Sequence, residues 1–204
     1  MHRRDLQGSE KVLGAEHPHT LASVSNLGSV LERQGKYEEA EAMHRRALGG
    51  YEKVLGAEHP HTLTSISNLG SVLSSQGKYE EAEAMHRRAL RGREKVLGAE
   101  HPDTLISMGN LTLTLNDQRR RSEAMELEQR VLSLKKRVFG NKHPETLTAM
   151  NNLAHTLRSQ GESQEALSLM RTCYKLRALH LGASHPYTES SLESLRKWEA
   201  RSSE

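Results

Sequence analysis

The chain has 204 residues, 29 basic against 26 acidic side chains, a formal charge of +3 and only 3% aromatic residues. That mixed surface lacks the strong field of one sign that nucleic-acid binding uses, and no stretch approaches the roughly 20 apolar residues of a membrane-spanning helix. A single cysteine, Cys173, allows no disulfide framework. The basic start Met1-His2-Arg3-Arg4 has no apolar run behind it, so it does not read as a secretory signal. The expectation is a soluble cytoplasmic protein.

A repeat governs everything that follows. His-Pro recurs at His17-Pro18, His59-Pro60, His101-Pro102, His143-Pro144 and His185-Pro186, 42 residues apart each time. The stretch from Gln34 to Leu48 returns almost letter for letter from Gln76 to Leu90. A fixed period of this size marks helical units that stack on their neighbours. Residues 1–13 align with the end of a repeat, since Met1-His2-Arg3-Arg4 matches Met43-His44-Arg45-Arg46. They are expected to form a partial second helix, as in a piece of a longer array or a truncated copy.

Four full repeats follow, over 14–55, 56–97, 98–139 and 140–181, and 182–204 is expected to be a capping helix. In repeat one, Pro18 suits a first helical turn, where its missing N–H costs nothing. Leu21, Val24, Leu27 and Leu31 make one helical face. Gln34-Gly35 ends that helix. A second helix runs from Lys36 to about Leu55. Its buried side is expected to carry Tyr37, Ala40, Met43 or His44, Ala47, Leu48, Tyr51 and Val54, and Gly56 stops it. The pair should measure about 24 and 28 Å at 1.5 Å per residue. Gly28 and Gly70 are expected to permit close helix approach, whereas Gly49 and Gly50 weaken the second helix by about 1 kcal/mol each.

Repeat two differs from repeat one at six of 42 positions, two of which are Tyr51/Arg93 and Arg33/Ser75. Repeat three has Arg119 in place of the turn glycine, and repeat four puts Cys173 at the small core position of Ala47. In the last segment Glu189 and Glu199 stand where Leu21 and Leu31 stand, and Leu192, Leu195 and Trp198 remain as anchors. Ten helices are expected in all.

The spacing Val24-x2-Leu27-Gly28-x2-Leu31, then Ala40-x3-His44-x2-Ala47, resembles the tetratricopeptide repeat. The Gly-x-x-His-Pro-x-Thr-Leu lead and the Gly-Lys-Tyr-x-Glu-Ala-Glu helix are similar to the 42-residue subclass of kinesin light chains. The same subclass forms the C-terminal array of fungal nucleotide-binding signalling proteins. The resemblance implies an all-α, right-handed superhelical solenoid of antiparallel helix pairs. It also implies a function without catalysis: a scaffold that holds an extended peptide in the groove lined by the first helices. The alternative is a ligand-sensing domain of a larger nucleotide-binding signalling protein.

Carried over by position, the implied groove rows hold Ala22, Ser25, Asn26, Ser29 and Arg33, then Thr64, Ser67, Asn68, Ser71 and Ser75. They continue with Ile106, Gly109, Asn110, Leu113 and Asp117, then Thr148, Asn151, Asn152, His155 and Ser159. An amide both donates and accepts, so the Asn26, Asn68, Asn110 and Asn152 ladder can pair with a peptide backbone. It can equally bond only the neighbouring helix, and both readings stand. Mostly neutral rows fit a neutral or mixed peptide better than an acidic tail. The paired histidines lack a consistent set of four ligands, so local hydrogen bonds are expected rather than metal. The Arg and Lys clusters lie near glutamates and read as solvated helix faces, not a nucleic-acid stripe. No catalytic constellation, cofactor site or metal site emerges. The expected partner is a protein or peptide segment, with self-association through the open N-terminal end as a further option.

Overall fold

A computed structural model describes the backbone of residues 2–200 and the side chains from Leu6 onward. Among the described residues there are ten helices and no strand. These are α1 (His2–Leu13), α2 (Pro18–Arg33), α3 (Tyr37–Leu55), α4 (Pro60–Ser75), α5 (Tyr79–Leu97), α6 (Pro102–Asp117), α7 (Arg121–Phe139), α8 (Pro144–Ser159), α9 (Ser163–Leu181) and α10 (Pro186–Ala200). They fall into two compact units, 1–118 and 119–204.

The same local chemistry makes each helix pair. His17, His59, His101 and His143 cap the helices α2, α4, α6 and α8. In each, the imidazole Nδ1 accepts the backbone N–H two residues on, at 3.1–3.2 Å. This is the local role expected of the His-Pro histidines, and proline follows at the first helical position. The threonine of each lead, Thr20, Thr62, Thr104, Thr146 and Thr188, is fully buried. Thr62 and Thr104 donate to the carbonyls of Gly56 and Gly98. At the far end Gly35 adopts φ +75°, and Lys36 N–H donates back to the Leu31 carbonyl. Such left-handed caps favour glycine. Arg119 holds φ +63° in the equivalent place, a conformation that costs a side-chain-bearing residue about 1–2 kcal/mol.

In unit 1, α2 packs on α3, α3 on α4, α4 on α5 and α5 on α6. Leu21, Val24, Leu63, Ile66, Val72 and Leu73 form its centre, with Ala40, Ala47, Ala82 and Ala89 where second helices press closest. In unit 2, α7 packs on α8, α8 on α9 and α9 on α10. There the core is Leu147, Met150, Leu153, Met170 and Cys173, closed by Leu195 and Trp198. Burying each such aliphatic side chain contributes about 1.5–3 kcal/mol.

Val54 departs from expectation, and two further details sharpen it. Val54 is 44% exposed. Tyr51 donates its hydroxyl to the Pro18 carbonyl, so Tyr51 already stands level with the first residue of α2, and Val54 lies beyond that helix's end. Of Met43 and His44 it is His44 that is sealed, and His86 matches it, at 0% and 2% exposure. Gly50 is a packing residue, because a Cβ there would collide with Leu21; Gly49 faces open space.

Candidate functional site

The first helices α2, α4 and α6 of unit 1 and α8 of unit 2 carry the candidate rows. Their apolar residues face the second helices, which leaves the opposite edge to the row residues. Asn26, Arg33, Thr64, Ile106, Asp117, Asn152 and His155 are exposed, while Ser25, Ser29, Asn68, Ser71, Asn110 and Asn151 are half-buried. Ser67 is buried, so it offers a ligand little without a local shift.

Most of the small hydroxyls are engaged within their own helices. Ser29 donates to the Ser25 carbonyl and Ser71 to the Ser67 carbonyl, and Arg33 Nε reaches the Ser29 carbonyl. A donating hydroxyl keeps accepting capacity, so these serines can still receive a ligand N–H. The ladder is not uniform. Asn68 Nδ2 donates to Ser25 Oγ at 3.3 Å, tying α4 to α2. Asn26 and Asn152 stand exposed. Asn151 Oδ1 accepts from Arg177 at 3.2 Å and lies 3.4 Å from Ser191 Oγ.

On α6 the rows turn apolar. Ile106 is 57% and Leu113 65% exposed. They stand seven residues apart, two helical turns, and so share a face. Gly109 lies between them with open space above its Cα. The stretch is therefore a shallow apolar strip beside the polar row of Thr64, Asn68 and Ser71 on α4.

Two residues absent from the expected rows reach them from below. Arg93 of α5 donates to Ser107 Oγ at 2.7 Å and the Asp103 carbonyl, and its second amino group approaches Thr64 Oγ1 at 3.4 Å. Arg177 of α9 does the same in unit 2, donating to Ser191 Oγ at 2.7 Å, the Tyr187 carbonyl and Asn151. Both guanidiniums are buried, at 6% and 4% exposure. Burial lowers the pKa of Arg93, partly offset by the Asp103 charge. A signal was present in the sequence, since each arginine is followed 14 residues later by a serine. At the edge of the α2 and α4 rows, burial pushes the Glu32 carboxyl up, against a hydrogen bond from Ser75.

Cys173 is buried, donates to the Leu147 carbonyl at 3.2 Å, and has its pKa raised by burial. Among the described residues no three His, Cys, Asp or Glu side chains gather as a metal site. Nor is any described helix long and apolar enough to cross a membrane. The basic clusters largely meet carboxylates, as with Arg45 between Glu41 and Glu81, Arg46 with Glu10, and Arg88 with Glu52.

Capped helix pairs at a 42-residue period, presenting open first-helix edges, define a helical-repeat protein. The tetratricopeptide repeat family model matches residues 2–53, 20–95 and 62–137, and a second tetratricopeptide repeat model matches 146–187. The chain belongs to the tetratricopeptide repeat family. Among solved structures it is similar to a kinesin light chain candidate of Podospora anserina with nearly identical tetratricopeptide-like repeats. The TM-score is 0.80 at 26% identity, over 89% of this chain and 86% of that one. A single-substitution variant of that protein gives the same values. BtubC (BKLC) of P. vanneervenii matches with TM-score 0.76 at 17% identity, over 98% of this chain and 84% of that one, a likeness of fold. The kinesin-light-chain-like subclass is thus the one these neighbours share. No curated protein sequence matches the chain.

Proposed function

We propose that this chain is a scaffold without catalytic activity that binds an extended protein segment along its first helices. Tetratricopeptide repeats generally mediate protein–protein interaction, and the four repeats acting as one array belongs to this reading. The observation that carries it is the exposed edge of α4 and α6. Thr64 and Ser71 there offer hydrogen bonds beside the exposed Ile106 and Leu113. A peptide backbone finds donors and acceptors on one side and an aliphatic contact on the other. Binding of this kind spreads over several repeats rather than one pocket. The cytoplasm is the proposed setting.

The test is selection of a displayed random peptide library on the immobilised full chain, followed by affinity measurement. Ile106→Asp with Leu113→Asp is expected to weaken the selected peptides at least about 10-fold, roughly 1.4 kcal/mol. Arg45→Glu on α3 should leave them unchanged. Peptides sensitive to Arg45→Glu and indifferent to the α6 pair would refute the groove. A second reading, a sensing array within a larger nucleotide-binding signalling protein, is favoured by the near-identity of repeats one and two. Two of their six differences, Ala22/Thr64 and Arg33/Ser75, fall in the rows. The neighbouring coding sequence decides it.

A further inference from the structure

Repeat position 44/86/128/170 holds His44, His86, Glu128 and Met170. In unit 1 the two imidazoles are sealed in the middle of their helix pairs. Neither ring nitrogen of His44 has a hydrogen-bond partner, nor has Nδ1 of His86. Each ring lies flush on a glycine of the facing helix. A Cβ added at Gly28 would come within 2.8 Å of the His44 ring, and one at Gly70 within 2.7 Å of the His86 ring. At the equivalent positions repeat four holds Ala154 and Met170, both fully buried and neither titratable.

We propose that unit 1 is an acid-sensitive half of the molecule, in which His44 on Gly28 and His86 on Gly70 act as latches that close only while the imidazoles are neutral. A proton on His44 would create a buried cation with no hydrogen-bond partner at either ring nitrogen, and on His86 the Nδ1 would be stranded in the same way. The groups facing the rings offer little rescue. On α2, Glu32 stands one turn beyond Gly28 and Arg33 points to solvent, while α4 carries no acidic or basic residue from Pro60 to Ser75 except the exposed His61 imidazole. His86 meets the same α4, with Asp103 and Asp117 near the two ends of α6. On the rings' own helices, Arg93 opposes a charge on His86, and Glu41 is committed to Lys78, Gln76 and Arg45. Burial lowers the pKa of both histidines, His86 to about 4.

The sign follows from these depressed values. The latch contributes fully above the ordinary imidazole pKa of about 6.5 and is lost as pH falls from there toward about 4. Glu41, lowered to about 2, keeps its partners through the window near pH 6.5–4.5, and Glu32, whose carboxyl burial pushes up, acts there in the sense opposite to the histidines. His155 in unit 2 is also lowered by burial. However, its side chain is exposed and its Nε2 faces Ser194 Oγ, so a charge there is not stranded as it is in unit 1. A ligand on α2 and α4 would be released with the latches; that consequence alone rests on the groove reading, and the experiment below uses no ligand.

The experiment is hydrogen exchange with mass spectrometry on the full chain near pH 7.5 and near pH 4.5, corrected for intrinsic exchange. It compares wild type with a variant carrying repeat four's pair twice: Gly28→Ala, His44→Met, Gly70→Ala and His86→Met. Protection of α2–α5 in the wild type is expected to drop on the order of 50-fold at the lower pH, from the His86 depression alone, while α8–α9 changes little. In the variant α2–α5 should hold. Equal loss in wild type and variant, or no loss in the wild type, overturns the proposal. Should the variant not fold, imidazole proton resonances of the wild type decide. His44 and His86 must stay neutral until α2–α5 protection is lost, and ordinary titration near 6.5 inside an intact unit 1 contradicts the latch.

Discussion

In residues 1–118 an imidazole fills the middle of each helix pair; in residues 119–204 the same repeat position holds Glu128 and Met170. The unit 1 histidines resist a proton. Glu128 favours one, because burial raises its pKa against a hydrogen bond from Thr156. A raised carboxyl contributes most below its ordinary pKa of about 4.3 and loses that contribution as pH climbs through its folded value. At this one position burial therefore favours the neutral group in both units, with opposite pH sense for imidazole and carboxyl. The 42-residue period thus fixes the shape at each contact and leaves its charge free. Pairs change together, with glycine facing histidine in unit 1 and alanine accompanying methionine in unit 2.

A second row gives the same lesson. Tyr51 stacks on His61 at 5.6 Å, Arg93 binds Asp103 and Ser107, Lys135 pairs with Glu145 at 2.6 Å, and Arg177 lies 5.4 Å from the Tyr187 ring. Each second helix thus grips the next first helix ten residues on, by a different interaction. The sharpest way to break the comparison is Arg177→Ala. It strands Ser191, Asn151 and two carbonyls in a buried place, and about 3 kcal/mol of stability should be lost in chemical denaturation. Lys135→Ala, whose partner Glu145 is 59% exposed in its side chain, should cost under about 1 kcal/mol. Equal costs would mean that burial does not distinguish these junctions.

Next in size is the turn at the start of unit 2. Arg119→Gly relieves the positive φ and should raise stability by about 1 kcal/mol, read as a shift in denaturation midpoint. No gain would show that the Arg119 side chain offsets its strain. The smallest effect is expected at Glu41, a half-buried carboxylate whose cationic partners are exposed. Glu41→Gln removes an ion pair with Lys78 and Arg45 and should cost under about 1 kcal/mol, less in high salt. Because the Glu41 pKa is lowered to about 2, its contribution is present above the usual carboxylate pKa and fades as pH falls toward that value. A cost independent of salt would place Glu41 in packing instead.

Much of the fold was legible because each helix carries its own punctuation. His-Pro starts, Gln-Gly stops and the three-four spacing of Leu21, Val24, Leu27 and Leu31 do not depend on distant context. The close fit of Gly28 was legible for the same reason. The reach of Arg93 and Arg177 was not. A lone arginine in a helix reads as surface, and only the partner serine on the next repeat makes it a buried grip. Nor could the sequence divide the asparagines. Asn68 spends its amide on Ser25, which depends on how α2 and α4 lie side by side, whereas Asn26 stays in solvent. The candidate rows were thus readable as positions but not as available groups.

The most direct test of the binding account is a hydrogen-exchange footprint of the full chain with a selected peptide at saturating concentration. New protection should fall on α2, α4 and α6, centred on residues 64–75 and 106–117, with α3 and α5 unchanged. Protection confined to α3 and α5 would contradict it and move the binding surface to the second helices.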